Sequence, residues 1–247
     1  MTLIKPTRVT FTGPDPSCSV DALIGLLEEA PGLELAFLYS ETRQGSGRYP
    51  PPAWIRETVG TIAQCIGPGR VALHVCGRAR FRFLDSGGVD PGLGDLDAFA
   101  RIQLNGKLTR EHADAVETML REHPERQLIV QYEHSTDLRE ALPPFGSALE
   151  VLFDASGGRG IQRTSWPRPL VGFTCGYAGG LGPDNLRREL PRIASAAGGA
   201  PYWIDMEGKL RDAQDRFSVE LARAVLRELT HVDTRLELPE GGYAVAM

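Results

Sequence analysis

The chain alternates short apolar runs with amphipathic segments along most of its length. Eight runs are rich in Val, Ile, Leu and Phe, and a glycine, asparagine or aspartate follows several of them. Short apolar runs bounded by turn residues predict buried β-strands. The eight predicted strands cover residues 9–12, 33–40, 71–76, 99–104, 127–133, 149–153, 171–175 and 202–206.

Helical periodicity separates most of these strands. The predicted helices cover residues 20–30, 53–66, 110–123, 183–197 and 217–230, with a short helix near 137–142. Two connections lack this period, because 79–97 is rich in Gly and Asp and prolines interrupt 161–170. Eight strands alternating with helices predict the α/β class and a single (β/α)8 TIM barrel. An open doubly wound sheet is the alternative, and it would need neither an eighth strand nor a final helix.

Composition narrows the class of protein. We expect the 247 residues to form one barrel domain, 1–247, with a tail at 233–247. The net charge of -5 argues against nucleic acid or an anionic membrane as a partner. No apolar run approaches the ~18 residues of a membrane span, and the start of the chain lacks a signal-peptide pattern, so we expect a cytoplasmic protein. Four scattered cysteines without a CxxC pair predict neither a disulfide framework nor a zinc site.

In a (β/α)8 barrel the chemistry lies at the C-terminal ends of the strands. The polar and reactive residues at the predicted strand ends are Thr12, Cys76, Asn105, Glu133, Asp154, Tyr177, Asp205 and Glu207. Asp154 ends an apolar strand and precedes a glycine loop, which favours a polar site over a simple turn.

Glycine loops follow the last three predicted strands. They contain Gly157, Gly158 and Gly160, then Gly179 and Gly180, then Gly208. Backbone N–H groups in such loops hold phosphate in many barrels, so we expect a small anionic, phosphorylated ligand here. Glu207 opposes that charge unless Lys209 or Arg159 offsets it.

Several motifs resemble phosphoribosylanthranilate isomerase, a (β/α)8 enzyme. QLNG at 103–106 resembles that family's QLHG, and LFDASGGRG at 152–160 resembles its LLD strand and GGTGK loop. AGGLGPDNL at 178–186 is similar to its AGGLNPENV, YWIDME at 202–207 to its GVDVSSGVE, and SGRY at 46–49 to its SPRYV.

The resemblance implies an aldose-to-ketose isomerisation of a phosphoribosyl amine, with a strand-one Cys as general base and a strand-six Asp as general acid. Asp154 matches that acid, and Arg48 matches the arginine that contacts the anthranilate carboxylate. By the same resemblance Gln103, Asn105 and Asp205 contact the ligand. The family's KICG aligns with TFTG at 10–13, so Thr12 occupies the place of the catalytic Cys.

A Thr hydroxyl is not a base near pH 7 without an activator. We therefore expect Asp154, Thr12 and Glu207 in the catalytic group, with Glu207 or Glu133 taking the role of the base. This predicts an isomerase-type enzyme acting on a phosphorylated sugar-type ligand, without a cofactor or a bound metal, in a reaction other than the family's own. Two alternatives are a metal-assisted lyase or aldolase, using carboxylates on strands five, six and eight, and a non-catalytic ligand-binding barrel. The oligomeric state stays open.

Overall fold

Eight parallel strands form a closed barrel in the computed structural model, which describes residues 5–132, 142, 145–154 and 161–231. Each strand pairs with the next along the chain, and β8 pairs with β1, where Thr10 lies opposite Asp205. This closure confirms the predicted TIM barrel and excludes the open sheet. The strands are β1 (Arg8–Thr12), β2 (Leu33–Ser40), β3 (Val71–Cys76), β4 (Arg101–Leu104), β5 (Gln127–Gln131), β6 (Leu149–Phe153), β7 (Thr174–Tyr177) and β8 (Tyr202–Met206).

Six α-helices in the described part of the chain surround the strands. They are α1 (Val20–Glu29), α2 (Pro52–Ile66), α3 (Ala79–Ser86), α4 (Ala113–Glu122), α5 (Leu186–Ala197) and α6 (Val219–His231). Ser19 caps α1 by accepting the N–H of Ala22 at 3.2 Å. Helix α3 lies where the sequence shows no helical period, because a helix this short buries only three residues, Ala79, Phe83 and Leu84.

The seventh strand differs from its predicted position. It covers Thr174–Tyr177 rather than 171–175. Val171 is 97% exposed, Gly172 has a φ of 84°, and the N–H of Phe173 donates to the carbonyl of Leu170. A turn therefore precedes the strand. Val171 in this turn is apolar, so the sequence pattern there resembles the start of a strand. The predicted helix near 137–142, except Leu142, and the tail at 233–247 lie outside the described residues.

Two kinds of core result from the alternation of side chains along each strand. Apolar side chains that point outward pack against the helices in one large cluster, which includes Phe11, Phe37 and Ile204. Inside the barrel a separate small apolar cluster contains Ile129, Leu152, Ala178 and Trp203. The sequence of described residues contains no helix that is both long and apolar enough to cross a membrane.

A buried ionic group closes the N-terminal end of the barrel. Arg101 of β4 donates to both carboxylate oxygens of Glu34 at 3.0 and 2.6 Å, and to Glu150 at 2.6 Å. It also donates to Thr10 at 3.0 Å and lies 4.2 Å above the Trp203 ring. Because charges on β2, β4 and β6 pair with one another here, protein groups fill the floor of the barrel, and the space for a ligand lies at the opposite end.

Candidate functional site

A cavity of about 1240 Å³ opens at the C-terminal ends of the strands. The loops after β2, β3, β4 and β8 form most of its wall. Ser40, Cys76, Asn105, Gln131 and Glu207 reach it from the strand ends or the positions just after them. The cavity therefore lies where a barrel places its chemistry, and it is large enough for a small organic ligand.

Thr12 and Asp205 form a buried pair beneath this cavity. The Thr12 hydroxyl donates to Oδ1 of Asp205 at 2.6 Å, and both residues are buried. Burial raises the pKa of Asp205 to about 8, and the charges of Glu207 and Asp154 act in the same direction, while the Thr12 hydrogen bond opposes them. A carboxyl that changes its protonation state near neutrality suits proton transfer.

Asp154 lies beside this pair. It is 3% exposed and accepts a hydrogen bond from Nε2 of Gln131 at 3.3 Å. Asp154, Asp205 and Glu207 line one small chamber. The structure thus brings together three acids that the sequence places at the ends of two different strands.

Arg48, in the loop after β2, forms ion pairs with two acids that follow β8. Its guanidinium contacts Glu207 at 2.5 Å and Asp215 at 2.7 Å. Burial raises the pKa of the Glu207 carboxyl, and Arg48 opposes that shift. The loop after β2, where we expected a ligand-binding arginine, is therefore tied to the loop after β8.

A series of polar side chains in contact with one another follows β3 and β4 from the interior of the barrel to the mouth. Nε2 of Gln103 donates to Oδ1 of Asn105 at 2.7 Å and lies 3.4 Å from Nδ1 of His74. Nδ2 of Asn105 lies 3.2 Å from Sγ of Cys76. Burial lowers the pKa of His74 to about 3 and raises that of Cys76 to about 11, so both side chains are neutral near pH 7.

The architecture around this site matches solved enzymes over nearly the whole chain. TrpF from Jonesia denitrificans superposes with a TM-score of 0.59 at 18% identity, covering 92% of this chain and 98% of that one. Phosphoribosyl anthranilate isomerase from Thermus thermophilus gives 0.54 at 21% identity, covering 90% and 98%. A phosphoribosyl anthranilate isomerase in complex with reduced 1-(o-carboxyphenylamino)-1-deoxyribulose 5-phosphate gives 0.56 at 16%, covering 91% and 98%. The chain has the phosphoribosylanthranilate isomerase fold.

Sequence comparison adds no family assignment to this structural match. No protein-family model matches the chain, and no curated protein matches it. Within the isomerase fold, Thr12 lies at the end of β1 and Asp154 follows the end of β6, the two places to which the resemblance assigns a base and an acid.

The glycine turn after β7 is occupied by the protein's own side chains. The N–H of Gly182 donates to Oδ1 of Asn185, and Nδ2 of Asn185 donates to the carbonyl of Gly180 at 2.7 Å. A side chain at Gly182 would overlap Lys209. Gly179, Gly180 and Gly208 line the small chamber together with the acids. Gly157, Gly158 and Gly160 lie outside the described residues.

Several polar residues of the mouth were not identified from the sequence. Gln131 holds Asp154, and Arg80 and Lys107 line the cavity. Arg211 donates to Asp15 at 2.6 Å and to the carbonyl of Gly13, which joins the loops after β1 and β8. Only Gln131, which lies within the predicted strand 127–133, had a sequence signal for its position. Loop arginines and lysines look like ordinary surface residues in a sequence.

The described carboxylates provide no metal site. Across residues 5–132, 142, 145–154 and 161–231, no three His, Cys, Asp or Glu side chains come close enough to hold a metal ion. Glu133, which the metal-assisted alternative uses, lies outside this set. The described residues therefore supply no ligand set for that alternative.

Proposed function

We propose that the protein is an acid–base isomerase that converts a phosphorylated sugar-type aldose into the corresponding ketose. The observation that carries this proposal is the Thr12–Asp205 pair, with Asp154 on the same chamber. It supplies a carboxyl that titrates near neutrality and a second acid beside it. The ligand bound to the isomerase of the same fold, a ribulose 5-phosphate derivative, supports a small phosphorylated substrate.

Asp205 is the base in this proposal and takes the role of the missing strand-one Cys. In its ionised form it removes the proton from C2 of the substrate, and the bonding pair forms a C1–C2 double bond. In the reactive form the two carboxyls share one proton, which starts on Asp154, and Asp154 gives it to the carbonyl oxygen on C1. Asp205 then returns its proton to C1, and Asp154 recovers one from the hydroxyl on C2. The ketose forms, and both acids regain their starting states.

Thr12 and Glu207 have supporting roles. Thr12 is a positioning residue, because its hydroxyl binds Oδ1 of Asp205 and opposes the effect of burial on that carboxyl's pKa. Glu207 is neutralised by Arg48, so its charge adds less repulsion to the chamber. Gln103 and Asn105 present amide groups to the substrate from β4 and the position after it.

Deuterium exchange tests the proposal directly. Ribose 5-phosphate is incubated with the protein in D2O, and loss of the C2 proton signal is followed by NMR, which detects proton removal even when little ketose accumulates. We expect exchange with the native protein and a loss of about 10²–10⁴ in its rate for Asp154→Asn and for Asp205→Asn.

Asp85→Asn is the matched control, because Asp85 is an exposed aspartate near the end of α3. It should exchange like the native protein. Binding of ribose 5-phosphate without exchange at high protein concentration would contradict the proposal and favour a non-catalytic binding barrel.

A further inference from the structure

The charges around the mouth are unevenly neutralised. Two carboxylates line the large cavity, Glu207 and Asp215, and both are bound to Arg48. Asp215 also contacts Arg211 at 2.9 Å. Lys209, a cation on the same side, pairs with Asp184 at 2.8 Å. The rim formed by the loop after β8 therefore carries little net charge.

The opposite rim carries three cations: Arg43 after β2, Arg80 after β3 and Lys107 after β4. In the described part of the chain none of the three forms an ion pair with a carboxylate. Arg43 lies 5.5 Å above the Tyr49 ring, and Lys107 is an exposed side chain. Positive charge that the protein does not neutralise attracts an anion into a concave site.

Arg80 is held in place by backbone groups. Its guanidinium donates to the carbonyls of Gly77 at 2.7 Å, Asn105 at 3.3 Å and Lys107 at 3.1 Å. Its Nε is buried and has no hydrogen-bond partner. Burial lowers the pKa of this guanidinium, since carbonyl oxygens solvate it without supplying a counter-charge. A half-buried guanidinium without a counter-charge gains from an anion.

From this asymmetry we infer that Arg80, Lys107 and Arg43 form the binding site for the phosphate group of the ligand. The site lies on the rim formed by the loops after β2, β3 and β4, across the mouth from the glycine turn after β7. Three unneutralised cations suit a phosphate ester, which carries about two negative charges, better than a single carboxylate. The inference rests on the proposed function for the identity of the ligand.

Asn105 connects this phosphate site to the proton-transfer groups. Its carbonyl binds Arg80, and its side chain lines both the large cavity and the small chamber. A sugar phosphate held by Arg80 and Lys107 would therefore extend past Asn105 with its reacting carbons toward Asp154 and Asp205.

Calorimetric titration shows which of the two rims binds the phosphate group. Inorganic phosphate and ribose 5-phosphate are titrated into the native protein and into Arg80→Gln, Lys107→Gln and Arg43→Gln. Charge-assisted hydrogen bonds contribute about 1.5–3 kcal/mol, so Arg80→Gln and Lys107→Gln should each weaken both ligands by about tenfold or more. Arg43→Gln, which removes a more exposed cation, should weaken them less.

Lys209→Gln is the matched control, because Lys209 lines the same cavity but is already paired. It should change phosphate binding by less than about twofold. Ribose and ribonate, titrated as the unphosphorylated and carboxylate analogues, should bind at least about tenfold more weakly than ribose 5-phosphate.

Several results would overturn the inference. Weaker phosphate binding in Lys209→Gln but not in Lys107→Gln would place the phosphate on the other rim, and equal binding of ribonate would assign the site to a carboxylate. Lys107→Gln keeps the test decisive if Arg80→Gln fails to fold. Phosphate binding that depends on Arg80 and Lys107 in a protein without deuterium exchange would leave this site standing and remove only the proposed reaction.

Discussion

The protonation state of one buried carboxyl governs the proposed chemistry. Asp205 has no cation among its direct hydrogen-bond partners in the described structure, only the Thr12 hydroxyl, and its pKa is raised to about 8. A thiolate in place of the Thr12 hydroxyl could itself accept a proton. A hydroxyl cannot, so Thr12 acts through its neighbour. Thr12 stands where the resemblance places a catalytic Cys, and it contacts a carboxyl whose pKa is near neutrality.

The pH dependence of activity tests this arrangement. Because only ionised Asp205 accepts a proton, kcat/KM for deuterium exchange should rise with pH and reach half its maximum near pH 8. Thr12→Val removes a hydrogen bond that favours the charged form, so the midpoint should move upward by about one pH unit.

Thr61→Val, on the exposed face of α2, is the control and should keep the native profile. An unchanged midpoint in Thr12→Val would mean that the titrating group is not Asp205.

At the scale of single elements, strand β7 sets the width of the barrel interior. Gly176 lies opposite Trp203 of β8 in the sheet register. A Cβ atom at Gly176 would overlap the indole ring of Trp203, which also covers Arg101. The strand therefore needs glycine at position 176, where its backbone approaches the Trp203 ring closely. Because β7 covers Thr174–Tyr177 and not 171–175, Gly176 is the residue that faces this ring.

Gly176→Ala should consequently destabilise the protein by about 1–3 kcal/mol, the cost of overpacking a filled core. The measurement is urea unfolding followed by circular dichroism. Gly60→Ala is the matched control, because Gly60 lies within α2 with open space around its Cβ position. It should stabilise the protein by about 0.5–1 kcal/mol. Equal effects of the two substitutions would contradict the packing of Gly176 against Trp203.

Elements with a clear period could be predicted from the sequence, and contacts between distant loops could not. Alternating apolar runs located β2, β3, β6 and β8 at their observed positions. The β7 prediction failed because Val171 is apolar but lies in a turn. Arg48 binds Glu207, a residue 159 positions away, and no local pattern signals that pairing. The three carbonyl contacts of Arg80 depend on how the loops after β3 and β4 fold, so no local sequence pattern reveals them.

At the scale of the whole molecule, the barrel has buried ion pairs at its N-terminal end and a carboxyl, Asp205, that titrates near neutrality at its C-terminal end. The Arg101 group is fully paired at the N-terminal ends of the strands, so its role is to fix the interior of β2, β4 and β6. Above it, Asp205 accepts a hydrogen bond from the neutral Thr12 hydroxyl, and its pKa is raised to about 8. The same closed sheet thus keeps fixed charges at one end and exchangeable protons at the other.

Removal of the Arg101 charge from the floor of the barrel should lower the stability of the entire fold. Arg101→Met leaves Glu34 and Glu150 buried without their counter-charge, so we expect a loss of about 3–5 kcal/mol in the free energy of unfolding. Urea denaturation measures it. Arg121→Met breaks an exposed pair with Glu117 on α4 and should cost less than about 1 kcal/mol. A loss for Arg101→Met no larger than for Arg121→Met would show that the floor does not depend on its charges.

The ionic floor also bears on the order in which the chain is made. Arg101 and Glu34 both belong to the first four strands, whereas Glu150 belongs to the sixth. During synthesis the first half leaves the ribosome with its cation and one partner already present. The second half brings an acid without a cation of its own at this site. Glu150 therefore joins the second half of the barrel to a cation of the first half, and this one buried group links strands that are made at different times.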